Sequence, residues 1–343
     1  MTRKKTGVLL INLGTPDNPS TRAVRTYLSE FLNDPRVIDI NAVGRAVLVN
    51  GIIVPFRAPK SAKIYKELWG IWEGESPLLT FGKKLQRELQ DKYGEDSDVT
   101  IEFAMRYKNP SLDLVLGEME KKAYDRIVIF PLFPHYASSS SGSAIEKAMN
   151  IMRKWWVIPE IRIINQFFNH PSYIQAFVER GQEYKLEDYD HVLFSYHGLP
   201  ERQIEKVHPS MKCSECNCPE KFNEDQPLCY RNECYETTRL IAEGLGLKKE
   251  QYTVAFQSRL GKTPWLTPYS DQVVEDLAKA GKTKVLAFSP AFVSDCLETT
   301  VEIGEEYQEI MEEHGGEKIQ LVQSLNDSET WINAAKEIID AQL

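Results

Sequence analysis

Glu298, Glu302 and Glu306 recur at every fourth residue, so on a helix they fall along one face. Like charges at that spacing destabilise an α-helix. From Asp295 to Glu317 there are nine acidic residues and no Lys or Arg to offset them. In an α-helix the row drifts by roughly 40° per step, and a wider π-type turn aligns it better. One reading is a solvated acidic face; the other is a carboxylate path for a hard or borderline divalent cation. His197, in Ser195-Tyr-His-Gly-Leu-Pro200, follows an apolar run. An imidazole there suits a base or metal ligand near neutral pH, and the plainer alternative is a turn-capping His. A His and a Glu facing each other can bind a metal and accept protons.

A second cluster reads Cys213-x2-Cys216-x-Cys218-x10-Cys229-x4-Cys234 and holds five of the six cysteines. In a reduced chain that crowding points to metal. Four thiols serve a tetrahedral Zn site or a [2Fe–2S] cluster equally, so spacing leaves the metal and the spare Cys open. A reactive thiol or disulfide is the lesser reading.

Aromatic and hydroxyl residues mark further loops. Arg106-Tyr107 follows a strand-like Ile101-Glu-Phe103, Tyr136 lies in Pro134-His-Tyr-Ala-Ser-Ser-Ser-Ser-Gly142, and Trp265 lies in Thr263-Pro-Trp-Leu-Thr-Pro268. Each alone fits core or turn chemistry. Together they suggest a large, flat, partly anionic ligand, with rings to stack on it and Arg for its carboxylates. Residues 46–56, flanked by Arg45 and Arg57, form either a plain core helix or an exposed lip for a membrane or a greasy substrate.

These residues need elements to hold them. The runs Gly7–Leu13, Ile127–Phe133, Val192–Ser195 and Val285–Phe288 are apolar throughout and alternate with helical periodicity, such as Tyr27, Leu28, Phe31 and Leu32. That pattern predicts parallel sheets covered on both faces. An internal echo pairs Val8-Leu-Leu-Ile-Asn-Leu-Gly-Thr-Pro16 with Val192-Leu-Phe-Ser-Tyr-His-Gly-Leu-Pro200, and a weaker one pairs Pro131-Leu-Phe133 with Pro290-Ala-Phe292. The expectation is two similar α/β halves facing each other, with a seam near 175–190 and Leu13 matching His197. Ligands of such sheets bind beyond the carboxyl ends of the strands.

Composition narrows the function. The 343 residues are 42% hydrophobic and 27% charged with a formal net charge of −9, so the chain is globular and nucleic acid is an unsuited partner. No apolar run reaches the roughly 20 residues of a membrane span. The N-terminal run from Met1 is too short for a signal peptide and reads as a buried strand of a cytoplasmic protein. The G-x-G-x-x-G fingerprint is absent, and Gly261-Lys-Thr263 lacks the first P-loop glycine because Phe256 stands there, so no nucleotide is expected.

In chain order, Leu13-Gly-Thr-Pro16, Met105-Arg-Tyr107, Tyr136 before a Ser-rich loop ending Gly142-Ser, Ser195–Pro200, Gln257-Ser-Arg259, Pro264-Trp-Leu266 and Ser294-Asp-Cys-Leu-Glu-Thr299 resemble the motifs of ferrochelatases. The resemblance spans nearly the whole chain. It implies two Rossmann-like domains, over 1–175 and 176–343, with the porphyrin cleft between them. It also implies a lyase that inserts Fe2+ into protoporphyrin IX, the last step of haem synthesis. Carried over by motif, His197 resembles the invariant metal ligand or proton acceptor, Glu298 its acidic partner, and Glu302 and Glu306 the carboxylate ridge of a π-helix. Leu13, Arg57, Tyr65, Ser76, Arg106, Tyr107, Tyr136 and Trp265 resemble porphyrin-contact positions, and Leu13 is apolar as in protoporphyrin-type members. Residues 42–57 resemble a hydrophobic lip that admits a transient membrane-surface contact.

The chain departs from animal members at Cys296 and Ser138, and it has no Cys-rich C-terminal tail. The Cys-rich insertion at 208–234 instead resembles a bacterial subclass with a [2Fe–2S] cluster, Cys234 being the spare, with Zn as the alternative. The rival readings are a coproporphyrin or sirohydrochlorin chelatase of the same fold, and an iron–sulfur or zinc binding module. Glu298 argues against the sirohydrochlorin type, and the distant pocket motifs argue against the module.

Overall fold

The structure, a computed structural model, describes residues 4–208, 211–259, 261 and 263–343. The first three residues of the N-terminal run and Lys262 of the Gly261-Lys-Thr263 comparison lie outside these, as do 209 and 210 of the Cys-rich insertion.

Eight strands form two sheets: β1 (Thr6–Gly14), β2 (Val99–Tyr107), β3 (Arg126–Pro131), β4 (Glu160–Ile163), β5 (His191–His197), β6 (Tyr252–Gln257), β7 (Lys284–Phe288) and β8 (Lys318–Leu321). The first sheet runs β2-β1-β3-β4 and the second β6-β5-β7-β8, and every pair is parallel. Parallel pairing forces each connection to cross over, and helices make the crossings. Val8, Leu9, Leu10 and Ile11 of β1 are fully buried although consecutive residues point to opposite faces, so both faces of the sheet are covered.

The two sheets repeat one plan in detail. The outer pairs Arg126↔Glu160 and Lys284↔Lys318 are separated by the same number of residues. After β2 the chain turns so that Met105 N–H donates to the Pro110 carbonyl at 2.7 Å, and after β6 Phe256 N–H donates to the Pro268 carbonyl at 2.9 Å. A Cβ on Gly14 would lie 2.0 Å from the Tyr107 carbonyl oxygen, and one on Gly198 2.6 Å from that of Gln257. Only glycine fits where the end of each central strand crowds its neighbour. The pairing Ile11↔Pro131 against Phe194↔Phe288 sets the weaker sequence echo off by one: Ser289, not Pro290, occupies the place of Pro131.

The chain divides into two compact units, one of Met1–Phe133, Ser138–Asn165 and Ala335–Leu343, the other of Pro134–Ala137 and Gln166–Ala334. This division differs from a split at 175/176. The chain's last residues belong to the first unit because Arg126 and Arg162 donate to the carbonyls of Gln342 and Leu343.

In the first unit a core of Leu9, Ile11, Leu116, Met119, Ile129 and Met152 fills one side. A second cluster, of Val24, Tyr27, Leu28, Val49, Val54, Ala58 and Tyr107, lies under helix Thr21–Leu32 and helix Val54–Ile71. In the second unit Leu193, Ala255, Val285, Ala287, Ile303 and Tyr307 form the corresponding core.

Candidate active site

In the second unit β5 ends on His197, and a helix with π-type turns spans Glu298–Glu306. The wide turn foreseen for the carboxylate row is therefore present. Asp295 anchors its start, accepting from Thr299 Oγ1 (2.9 Å) and Asn326 Nδ2 (2.7 Å). Along the row Glu298 and Glu302 are half-buried and Glu306 is exposed, so the carboxylates lead from solvent inward.

His197 Nδ1 lies 2.7 Å from the Gly198 carbonyl oxygen. A carbonyl only accepts, so Nδ1 carries a proton and donates it there, and Nε2 takes no part in that bond. Gly198 N–H is itself tied to the Gln257 carbonyl at 2.8 Å. Glu302 is held by the end of β6: Gln257 Nε2 (3.0 Å) and Ser258 Oγ (2.7 Å) donate to Oε2, and Ser258 N–H (3.0 Å) to Oε1. Gln257 Nε2 also donates to the Glu298 carbonyl (3.0 Å), while its Oε1 accepts from Ser195 Oγ (2.7 Å). Burial raises the Glu302 pKa and Glu298 adds to the rise, against the lowering influence of Ser258, His197 and Gln257. Glu302 thus stands within electrostatic reach of both His197 and Glu298. Buried Cys296 donates its S–H to Glu298, and burial and that carboxylate push its thiol far up.

Trp265 is half-buried beside Gly198, whose added Cβ would lie 3.4 Å from the indole, and its buried Nε1 has no partner among the described residues. Tyr136 is half-buried, with its N–H on Glu233 Oε2 at 2.6 Å.

The first unit gathers Leu13, Tyr65 and Tyr107 on one apolar cluster. Tyr65 sets its edge against Tyr27 (6.2 Å) and Trp69 (5.7 Å). Arg57, on the same helix, is exposed. Tyr107 is fully buried, with its hydroxyl on Asp34 at 2.9 Å. Arg106 lies over the Tyr107 ring at 4.4 Å and donates to Asp34 (2.6 Å) and Ser143 Oγ (2.7 Å). Ser76 is buried ahead of helix Pro77–Tyr93 and makes no side-chain cap. Residues 46–56 combine both sequence readings: Val49 and Val54 are buried, whereas Val47, Ile52 and Phe56, with Val43 before them, are exposed. No helix among the described residues is long and apolar enough to cross a membrane.

All five clustered cysteines are buried and unpaired. Cys229 Sγ lies 3.3 Å from His208 Nε2, and Arg231 Nη1 donates to Cys218 Sγ at 3.1 Å. Burial pushes the Cys213 thiol up to about 11 and the Cys229 thiol up to about 12. The sequence reading expected a metal centre here. Among the described residues no group of three or more His, Cys, Asp or Glu side chains could hold a metal ion. Of these thiols Cys229 is turned to His208 and Cys218 to Arg231.

Sequence reasoning gave no role to Asp34, Ser143, Ser195, Gln257 or Ser258: the last four stood in named motifs, and Asp34 carried no signal.

Two parallel sheets on one plan, with a His at the end of a central strand, a carboxylate row on a π-type helix and aromatics beyond the strands, define a chelatase-type α/β protein. Sirohydrochlorin chelatase SirB of Bacillus subtilis subspecies spizizenii in complex with cobalt matches with a TM-score of 0.53 at 8% identity, covering 98% of this chain and 94% of that one. SirB from Bacillus subtilis with Fe3+ matches at 0.51 and 10%, with the same coverage. At such identities the likeness is one of fold. The family model for ferrochelatase matches residues 5–343. The ferrochelatase of Legionella pneumophila (strain Paris) is 44% identical over 341 residues, 98% of this chain and 99% of the relative. That of Coxiella burnetii (strain Dugway 5J108-111) is 41% identical over 335 residues, 96% and 92%. The chain belongs to the ferrochelatase family.

Proposed function

We propose that this protein is a protoporphyrin ferro-lyase, which inserts Fe2+ into protoporphyrin IX and forms protohaem. The observation that carries the reading is His197 at the end of its strand, Nδ1 tied to the Gly198 carbonyl, in the same unit as the π-type helix whose Glu302 is influenced by both His197 and Glu298. As Fe2+ enters the ring, two pyrrole N–H protons leave one after the other; His197 Nε2 takes the first and releases it to the neighbouring carboxylates or water before it takes the second. Glu306, Glu302 and Glu298 exchange oxygen ligands with the iron stepwise, without the grip of thiolates. Leu13, Arg57, Tyr65, Tyr136 and Trp265 hold the porphyrin. The unpartnered Trp265 Nε1 supports a ligand contact there. Buried Tyr107 and Ser76 act by packing, and Arg106 acts through Asp34 and Ser143. The apolar Leu13 favours protoporphyrin over its carboxylate-rich relatives.

The test is an anaerobic assay with Fe2+ and protoporphyrin IX, following haem absorbance. Glu298→Gln is expected to abolish turnover, and His197→Ala to leave no more than a few per cent of it. Turnover of coproporphyrin or sirohydrochlorin alone would overturn the substrate. Undiminished turnover in either variant would overturn that residue's role.

The Cys-rich segment supports a finer reading. Cys213, Cys216, Cys218 and Cys229 influence one another electrostatically. Arg231 supplies a cation to Cys218. Cys234 also feels Cys229 and Cys218, but it differs from those four in its hydrogen bond with Tyr230. Four soft donors and a neighbouring guanidinium suit a [2Fe–2S] cluster, with Zn2+ the alternative and Cys234 the unused thiol. Bound there, the group would fix the segment ahead of helix Tyr230–Gly244. Iron, sulfide and zinc analysis with a visible spectrum decides between the metals. Cys216→Ser is expected to lose the group and Cys234→Ser to keep it; a protein purified anaerobically with neither metal would refute the reading.

A further inference from the structure

The first turn of helix Tyr230–Gly244 is buried and has no part in the proton and iron steps above. Tyr230 Oη donates to the backbone carbonyl of His197 at 2.8 Å. Glu233 Oε2 accepts the N–H of Tyr136 at 2.6 Å, and its Oε1 has no partner although the residue is fully buried. A turn later Thr237 Oγ1 meets His135 Nε2 at 2.9 Å. Positions 230, 233 and 237 share one helix face, so a single rigid element holds both the His197 peptide and the Pro134–Ala137 loop. His197 is clamped at three points: its carbonyl by Tyr230, its Nδ1–H by the Gly198 carbonyl, and the next N–H by Gln257. Without the phenol the part-buried carbonyl loses that donor and the peptide can turn, which misdirects Nε2.

We propose that Tyr230 and Glu233 are positioning residues, Tyr230 aiming His197 for the reaction and Glu233 setting the Tyr136 loop for porphyrin binding. The inference rests on the function proposed above. It predicts that each residue controls a different quantity. Tyr230→Phe should lower kcat about tenfold while porphyrin affinity, read by fluorescence quenching without iron, stays within about twofold. Glu233→Leu should weaken porphyrin binding about tenfold and leave kcat at saturation within about twofold, and Glu233→Gln, which keeps an acceptor oxygen, should restore binding.

Thr253→Val is the control. It removes a comparable side-chain bond at the far end of β5, where His191 Nε2 meets Thr253 Oγ1 at 2.9 Å. It should lower thermal stability alone. A merely structural helix would show that pattern in every variant, and parental kcat in Tyr230→Phe together with parental binding in Glu233→Leu would overturn the proposal. If the parent protein metallates no porphyrin, the functional reading falls separately. Hydrogen exchange then decides the positioning: faster exchange at Gly198 in Tyr230→Phe and at Tyr136 in Glu233→Leu supports it, and unchanged rates refute it.

Discussion

Asp34 gathers the polar side chains of the first unit. Its carboxylate takes Arg106, Tyr107 and Ser143 on one oxygen and the Arg36 N–H on the other. Burial alone would raise its pKa. The Ser143 hydroxyl, the Arg36 N–H, the Arg106 charge and the Tyr107 hydroxyl outweigh it, so the pKa is lowered. A carboxyl lowered in the folded state stabilises fully above its unfolded pKa of about 3.9, and that contribution is lost as pH falls through the folded value. Asp34→Asn is expected to cost about 3 kcal/mol at pH 7 and to flatten the acid side of the stability curve, as urea unfolding at pH 7 and below pH 4 would measure. An unchanged acid slope would place the stabilising charge elsewhere. This network also shows what the sequence could not convey. Arg106 and Tyr107 read as ligand contacts because an Arg-Tyr pair after a strand looks alike whether it meets a ligand or a carboxylate, and the carboxylate lies 72 residues away.

Elements were more legible than partners. The spacing of Glu298, Glu302 and Glu306 disfavoured an α-helix, and the chain answers with π-type turns over Glu298–Glu306. Glu302 is tolerated because Gln257 and Ser258 supply its donors. Ser258 does this at a φ of 64°, a left-handed conformation that no periodicity reveals. The central strands announced themselves by apolar runs, whereas the half-buried edge strand Glu160–Ile163 did not. The echo between the central strands proved to be a backbone requirement at Gly14 and Gly198. Gly198→Ala is accordingly expected to lower turnover at least tenfold by forcing the His197 peptide off Gln257. Gly117→Ala, in a helix interior with nothing within 4 Å of the added Cβ, should leave turnover unchanged and raise stability by about 0.5–1 kcal/mol. Equal effects of the two substitutions, read by turnover and thermal unfolding, would refute the crowding argument.

At the scale of the whole molecule, the repeat foretold two sheets of one plan, and the two strand orders correspond position for position. The domain limits were not legible. Residues 335–343 follow the second unit in the chain yet belong to the first, held by Arg126 and Arg162 on main-chain carbonyls and by Tyr93 on Asp340 and Lys336, partners 180 or more residues away that no local pattern reveals. Glu160 is the meeting point: Lys4 and Arg126 both pair with it, and Arg126 also reaches the Leu343 carbonyl. Residues 4 and 343 are therefore within two side chains of each other in the first unit. A short flexible linker could join them, with new ends opened at an exposed turn such as Gly94–Ser97. A chain so permuted would keep both sheets whole and have both units begin and end at different points of the same circle.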